Sequence, residues 1–342
     1  MTHRISRRTA TALGLSAVAG MGLAACVPGE GSEGSGGEGE WSTSTLTLDW
    51  ATYNPLSLVI RDQKLIETAL GDSVSVEWVQ SAGSNKANEF LRSGSADIAS
   101  TAGSAALLAR ANNSPIKVIG IYSQPEWSAL VVGEGSDITS PADLAGRAVA
   151  ATPGTDPYFF LVQTLAEADL GIGDIELQPL QHADGRSALE GGSVDAWSGL
   201  DPIMGAAEVE SGAQLVYRNV DFNTYGFLNA TEDFIDNHAD VAQVVVDAYE
   251  QARTWALENL EETAQLLADA AGIDLEVATT VITERSNLDV SGVPGEDQLA
   301  VLEAISPMLA DSGDVAGGAE AVEKARTEIL HDAFALAAVE AQ

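Results

Sequence analysis

Leu91-Arg-Ser-Gly94-Ser95-Ala-Asp97-Ile98-Ala99-Ser100 is answered about a hundred residues later by Leu189-Glu-Gly-Gly192-Ser193-Val-Asp195-Ala196-Trp197-Ser198. Leucine, glycine, serine, aspartate and the final serine recur at fixed spacing, more than chance similarity between short Gly/Ser stretches explains. Gly94 and Gly192 each sit where a helix ends, glycine being the residue that accepts the left-handed turn there. After each comes a short apolar segment holding one aspartate, read as a buried strand. Upstream, Gln80-Ser81-Ala82-Gly83 parallels Gln181-His182-Ala183-Asp184; downstream, Gly103-Ser104 and Leu200-Asp201-Pro202 each open a further helix. Two copies of strand–helix–strand–helix predict two α/β lobes built alike.

The surrounding chain agrees. Ser44 to Leu48 and Val74 to Val79 alternate as strands, and Ile116 to Ile121 is an apolar run of strand type. Pro141 to Gly146 reads as one helical turn before a strand from Arg147 to Ala151. Val241, Val244, Val245, Ala248, Ala252, Trp255 and Ala256 mark one face of a helix, and a second runs from Glu261 to Ala271, stopping at Gly272. The acids on these helices read as solvated faces.

The N-terminus carries an address. Arg4, Arg7 and Arg8 precede an uncharged stretch over 9–25, and Leu23-Ala24-Ala25-Cys26 closes it with the only cysteine of the chain. A basic start, an apolar core and a small-residue exit make residues 1–25 an export signal. The Leu-Ala-Ala-Cys run resembles the bacterial lipobox, which implies that Cys26 is lipidated and anchors the protein on the outer face of the cell membrane. Ser6-Arg7-Arg8 also resembles a twin-arginine signal, although Ala10 stands where a large apolar residue belongs. Residues 26–44, rich in Gly, Ser and Glu, read as a flexible linker. The Gly29-x-Gly31-x-x-Gly34 inside it lacks the strand and helix that a dinucleotide site requires. With 51 acids against 16 lysines and arginines, a net charge of −35 repels nucleic acid and anionic lipid headgroups. One cysteine excludes an internal disulfide.

Tyr53-Asn54-Pro55, Trp78-Val79, Ala82-Gly83, Gly94-Ser95-x-Asp97-Ile98, Pro153-Gly154-Thr155, Gly192-Ser193-Val194-Asp195-Ala196-Trp197 and Asp201-Pro202 together resemble the substrate-binding lipoproteins of ABC importers. The likeness is to the aliphatic sulfonate, taurine and nitrate type, over roughly residues 45 to 290. It implies an α/β fold like the type II periplasmic-binding proteins, with two lobes on a two-segment hinge. Lobe I is expected from 45–131 and 228–342, and lobe II from 132–227. It further implies a monomer that binds a small organic anion between the lobes and hands it to an ABC permease and its ATPase, without cofactor or metal. Nitrate, a thiamin pyrimidine precursor or an aromatic acid are alternative cargoes.

Ligands of open α/β sheets lie beyond the carboxyl ends of strands, where helix starts offer free N–H groups. That places Gly83, Ser84, Thr101, Gly103 and Ser104 of lobe I, and Gly154, Thr155, Asp156 and Tyr158 of lobe II, around the ligand. Asp156 reads as an N-cap with Pro157 at N1; turned to the cleft instead, it would repel an anion or hold an ammonium group. Tyr53 and Asn54 are expected at the cleft lip. Trp127 and Tyr225, on the two crossovers, are expected to pack an organic tail. Trp197 reads as core or ligand contact, Asp201 as an N-cap or ligand contact, and His182, in a loop equivalent to Ser81, as a satisfied surface histidine or one near the cleft. No Gly-x-Ser-x-Gly, His-Glu-x-x-His or P-loop pattern occurs. The competing classes are an extracytoplasmic enzyme on the same scaffold and a ligand-presenting sensor.

Overall fold

The computed structural model describes residues 41–341. The export signal, Cys26 and the glycine run at 29–34 lie outside the described residues. The strands are β1 (Thr45–Trp50), β2 (Ser75–Gln80), β3 (Ile98–Ala102), β4 (Ile116–Ser123), β5 (Leu130–Val132), β6 (Ala148–Ala151), β7 (Glu176–Pro179), β8 (Ala196–Ser198), β9 (Gln214–Tyr217) and β10 (Gly226–Thr231). The helices are α1 (Pro55–Gln63), α2 (Leu65–Leu70), α3 (Ser84–Ser93), α4 (Gly103–Ala111), α5 (Asp156–Glu167), α6 (His182–Glu190) and α7 (Ile203–Ser211). They continue with α8 (Glu232–Asn237), α9 (Ala239–Glu258), α10 (Leu260–Ala271), α11 (Leu275–Thr280), α12 (Glu296–Asp311), α13 (Gly318–Glu328) and α14 (Ala333–Glu340).

One sheet runs β2-β1-β3-β10-β4 and the other β7-β6-β8-β5-β9. In each, four strands run the same way and one, β10 or β5, is antiparallel to both its neighbours. The duplication read from Leu91–Ser100 and Leu189–Ser198 is therefore a duplicated topology. Its aspartates do identical work. Asp97 accepts from Thr47 N at 2.8 Å and donates its own N–H to Thr47 O; Asp195 does the same with Ala148, its Oδ2 accepting at 2.9 Å. Each clamps the entrance of β3 or β8 onto the neighbouring parallel strand, β1 or β6, rather than sitting inside the strand. Gly94 and Gly192 both take positive φ, 68° and 67°, which only glycine enters readily.

The chain leaves the first sheet after Ser123 and returns at Gly226. The lobe boundaries expected at 131/132 and 227/228 thus shift earlier, because Leu130 and Val131 already pair with Ser198 and Trp197 of the second sheet, and Gly226 with Ala102 of the first. The expected linker also ends sooner. Trp41 Nε1 donates to Leu70 O at 3.1 Å and Ser42 N to Asp240 Oδ2 at 2.9 Å, so 41–44 belong to the body. The first sheet buries Leu46, Leu48, Ile98 and Leu228 against α1 and α9, whose Val241, Val245 and Tyr249 face inward. The second is covered on its two faces by separate apolar clusters, one around Leu161 and Leu165, the other around Trp197 and Met204.

Candidate functional site

The lobes meet along a buried polar seam between the strand ends of the two sheets, and Asp156 stands at its middle. The start of α5 is read correctly as a helix start but with a different cap. Thr155 is the cap residue, Asp156 the first helical residue and Pro157 the second. Thr155 Oγ1 donates to Thr152 O at 2.6 Å, and the Asp156 carboxylate turns away from its own helix. It accepts from Trp127 Nε1 at 2.8 Å, from Thr224 N at 2.7 Å and Oγ1 at 2.8 Å, and from the Ser104 hydroxyl. One carboxylate of lobe II thus gathers lobe I and both crossovers. Burial raises the Asp156 pKa, while these hydrogen bonds pull it back down. With its oxygens occupied by protein donors, Asp156 is a strut between the lobes and not the N-cap expected.

Beside it, Gly83 at the start of α3 presses against the second lobe. A Cβ on Gly83 would come within 2.9 Å of His182 Nε2 and 3.0 Å of Asn85 Oδ1. Gly154, with φ of +75°, lies against Asn85 and Leu108, where a Cβ would sit 3.8 and 3.9 Å away. Around this contact, Asn85 Oδ1, Gln181 Oε1 and His182 Nε2 are buried with no hydrogen-bond partner. Buried polar atoms are normally paired, so unpaired ones from both lobes at one seam point to a guest. His182 is 1% exposed; it is not the surface histidine expected. Burial pushes its pKa down to about 3, keeping the ring neutral.

The remaining expected site residues divide. Ser84 Oγ accepts from Ala102 N at 2.9 Å and braces the end of β3. Gly103 N donates to Tyr225 O at 2.9 Å, and Ser104 N to Thr224 Oγ1 at 3.2 Å, so the start of α4 is held by the return crossover. Thr101 is fully buried in the sheet, its hydroxyl accepting from Asn229 Nδ2 at 2.9 Å and donating to Ala102 O. Asn54 is not at a lip. It is wholly buried, caps α1 by accepting from Ser57 N, and donates to Tyr249 OH at 3.0 Å. Tyr53 is likewise in the lobe I core, its hydroxyl on Ser100 O and its ring edge-on to Trp127 at 6.1 Å. Below it Asp49, fully buried, accepts from Ser100 N and Oγ; burial drives its pKa up to about 7.

Trp197 is core, with the α6 backbone at Gly185 packed on its ring. Tyr158 packs against Phe159 and faces Met308 of α12, and Tyr225 lines an outer groove with Val290 and Val293. Both sit away from the seam, because helical spacing and the crossover turn them toward the C-terminal helices. Asp201 caps α7 by accepting from Gly205 N at 3.0 Å and is paired across the lobes with Arg285 at 3.2 Å, which also meets Glu208 at 2.9 Å. Burial raises the Asp201 pKa to about 6 against the opposing pull of Arg285. Sequence reasoning missed Asn85, Thr152, Gln181 and Thr224; the only signal for the third was its repeat partner Gln80. Among the described residues no group of three or more His, Cys, Asp or Glu side chains is placed to hold a metal, and no helix is long and apolar enough to cross a membrane.

Two lobes of one topology, passed through twice and closed over a buried polar seam, define the type II periplasmic-binding-protein fold. The chain belongs to the NMT1/THI5-like family, whose profile matches residues 72–263. A relative from Escherichia coli (strain K12), provisionally named an aliphatic sulfonates-binding protein, is 27% identical over 241 residues, spanning 70% of this chain and 75% of the relative. The solved alkanesulfonate-binding protein SsuA from Xanthomonas axonopodis pv. citri, bound to MOPS, superimposes with a TM-score of 0.73 at 21% identity, covering 84% of this chain and 98% of that one. The periplasmic aliphatic sulphonate binding protein SsuA from Escherichia coli does so with a TM-score of 0.67 at 24% identity, covering 78% and 86%.

Proposed function

We propose that this chain is the extracytoplasmic solute receptor of an ABC importer, closing on an aliphatic sulfonate such as an alkanesulfonate or taurine and delivering it to the permease. The observation that carries the reading is the seam. The starts of α3 and α6, from equivalent places in the duplicated lobes, meet at Gly83 and His182. First-turn N–H groups lack partners within their helix and favour an anionic oxygen. Gly83, Ser84, Gly154 and Thr155 supply the close backbone approach on this reading, and Asp156, Trp127, Ser104 and Thr224 hold the lobes shut. The relatives' names support the cargo. Cys26 as a lipid anchor rests on the Leu23–Cys26 run and supplies two acyl chains, enough for stable attachment. The role is binding and release, with no bond made.

A thermal-shift series with ethanesulfonate, taurine, nitrate, a thiamin pyrimidine and an aromatic acid tests the assignment. A ligand that binds only the folded form at a hundredfold excess over Kd adds about 2.7 kcal/mol of stability, and the sulfonates are expected to give it. Stabilisation by another of these solutes alone would transfer the receptor to that cargo. No response to any of them would remove the assignment.

A further inference from the structure

The unpaired atoms of the seam have a chemical sense that the sulfonate reading leaves unused. Thr152 has one hydroxyl proton, and it goes to Leu180 O at 2.7 Å. The same oxygen lies 3.2 Å from His182 Nδ1, so the ring must donate there. Nδ1 carries the proton and Nε2 the lone pair. Burial, which holds the His182 pKa near 3, preserves that lone pair in neutral solution. Nε2 has no donor of its own, and neither has Asn85 Oδ1 from the other lobe. Both lie against Gly83, Nε2 2.9 Å and Oδ1 3.0 Å from where a Cβ would stand, so the two acceptors flank one point of the seam. Gly83 has φ of 161°, an extended conformation open to any residue. Glycine is needed there for space between two acceptors. Gln181 Oε1, adjacent in sequence to His182, is a further acceptor without a partner.

Acceptors select donors. A bare sulfonate oxygen meeting Nε2 and Oδ1 would set lone pair against lone pair, and the chain offers it helix N–H groups instead. We propose that His182, with Asn85 facing it across the seam, reads a hydrogen-bond donor on the organic end of the cargo, so that the protein selects amino-substituted alkanesulfonates over plain ones. A primary ammonium carries three N–H groups and satisfies both acceptors at once, where a hydroxyl satisfies one. The proposal rests on the sulfonate reading and adds a specificity residue to it.

Isothermal titration of the full chain at neutral pH with taurine and with ethanesulfonate, which differ only by the amino group, tests it. Taurine is expected to bind at least about tenfold more tightly, the scale of one well-placed donor to a buried acceptor. His182→Leu is expected to bring the ratio of taurine to ethanesulfonate affinity close to one. Asn85→Ala, at a half-buried position, is expected to cut the ratio at least about threefold. Equal affinity for the two ligands in the unaltered protein overturns the proposal and leaves the sulfonate receptor standing. A ratio that survives both substitutions also overturns it. Absence of binding by either ligand is the failure of the receptor's sulfonate assignment itself.

Discussion

The two lobes share a strand order, yet line the seam with different chemistry. In lobe I the segment after β2 runs Ser81-Ala82-Gly83 before α3 begins at Ser84; in lobe II α6 begins at His182, three residues after β7 ends at Pro179. The imidazole at the start of the lobe II helix therefore meets, across the seam, the glycine that precedes the lobe I helix. Burial also pushes a titratable group of each lobe toward neutrality, the carboxyl of Asp49 in lobe I and the imidazole of His182 in lobe II. Duplication supplies matched frames, and a single shift in where a helix starts makes the frames complementary.

The largest effect that can break this comparison is in pH. Asp49, with a folded pKa raised to about 7 from 3.8, favours the folded form below pH 4 and loses that contribution as pH rises to 7, on the order of 4 kcal/mol at most. His182, with a folded pKa lowered to about 3 from 6.5, acts in reverse: its unfolded form takes up a proton first, so stability falls as pH drops from 6.5 to 3. Urea unfolding across pH 3.5–7.5 should show Asp49→Asn gaining on the parent toward neutral pH and His182→Gln gaining toward acid. Parallel curves for parent and variants would mean that neither group is held neutral.

Next in size is the strut. Asp156→Ala leaves Trp127 Nε1, Thr224 and Ser104 without their acceptor, and about 3 kcal/mol should be lost on unfolding. Small-angle scattering of the same variant should report a larger radius than the parent. Gly83→Ala drives a methyl onto His182 Nε2 and should cost about 1–3 kcal/mol; a His182→Ala background should restore most of it in a double-mutant cycle. Smallest are the matched clamps. Asp97→Ala and Asp195→Ala should each cost about 1 kcal/mol, Asp97 more, because Asp195 is the more exposed. Equal losses would show that the frames are matched in energy as well as in outline.

The frame was legible because local rules write it. Gly94 and Gly192 announce helix ends by residue type alone, and Gly272 and Pro55 mark helix limits in the same way, whereas Asp97 and Asp195, read inside their strands, stand just before them. The antiparallel pairing of β10 and β5 was not, since nothing in Gly226–Thr231 says which two strands it will separate. The seam was half legible. Gly83, Gly154 and Asp156 stand out as turn and cap residues, but a cap reading gives a carboxylate a local partner. Asp156 found its partners 52, 29 and 68 residues away instead. His182 looked ordinary because its value depends on Thr152 and Gly83, which only folding brings to it. Asn54 and Tyr158 were misplaced for a related reason: strand ends predict where a backbone goes, while helix pitch and neighbouring helices decide where a ring or amide turns.

The position of β10 bears on how the molecule comes into being. All five strands of the second sheet lie within residues 130–217, so that half can assemble from an uninterrupted stretch of chain. The first half has β3 and β4 ready early, but the strand that joins them arrives only with residues 226–231. The outer sheet is therefore a split one until its keystone at 226–231 is in place, whereas the inner sheet needs no residue beyond 217.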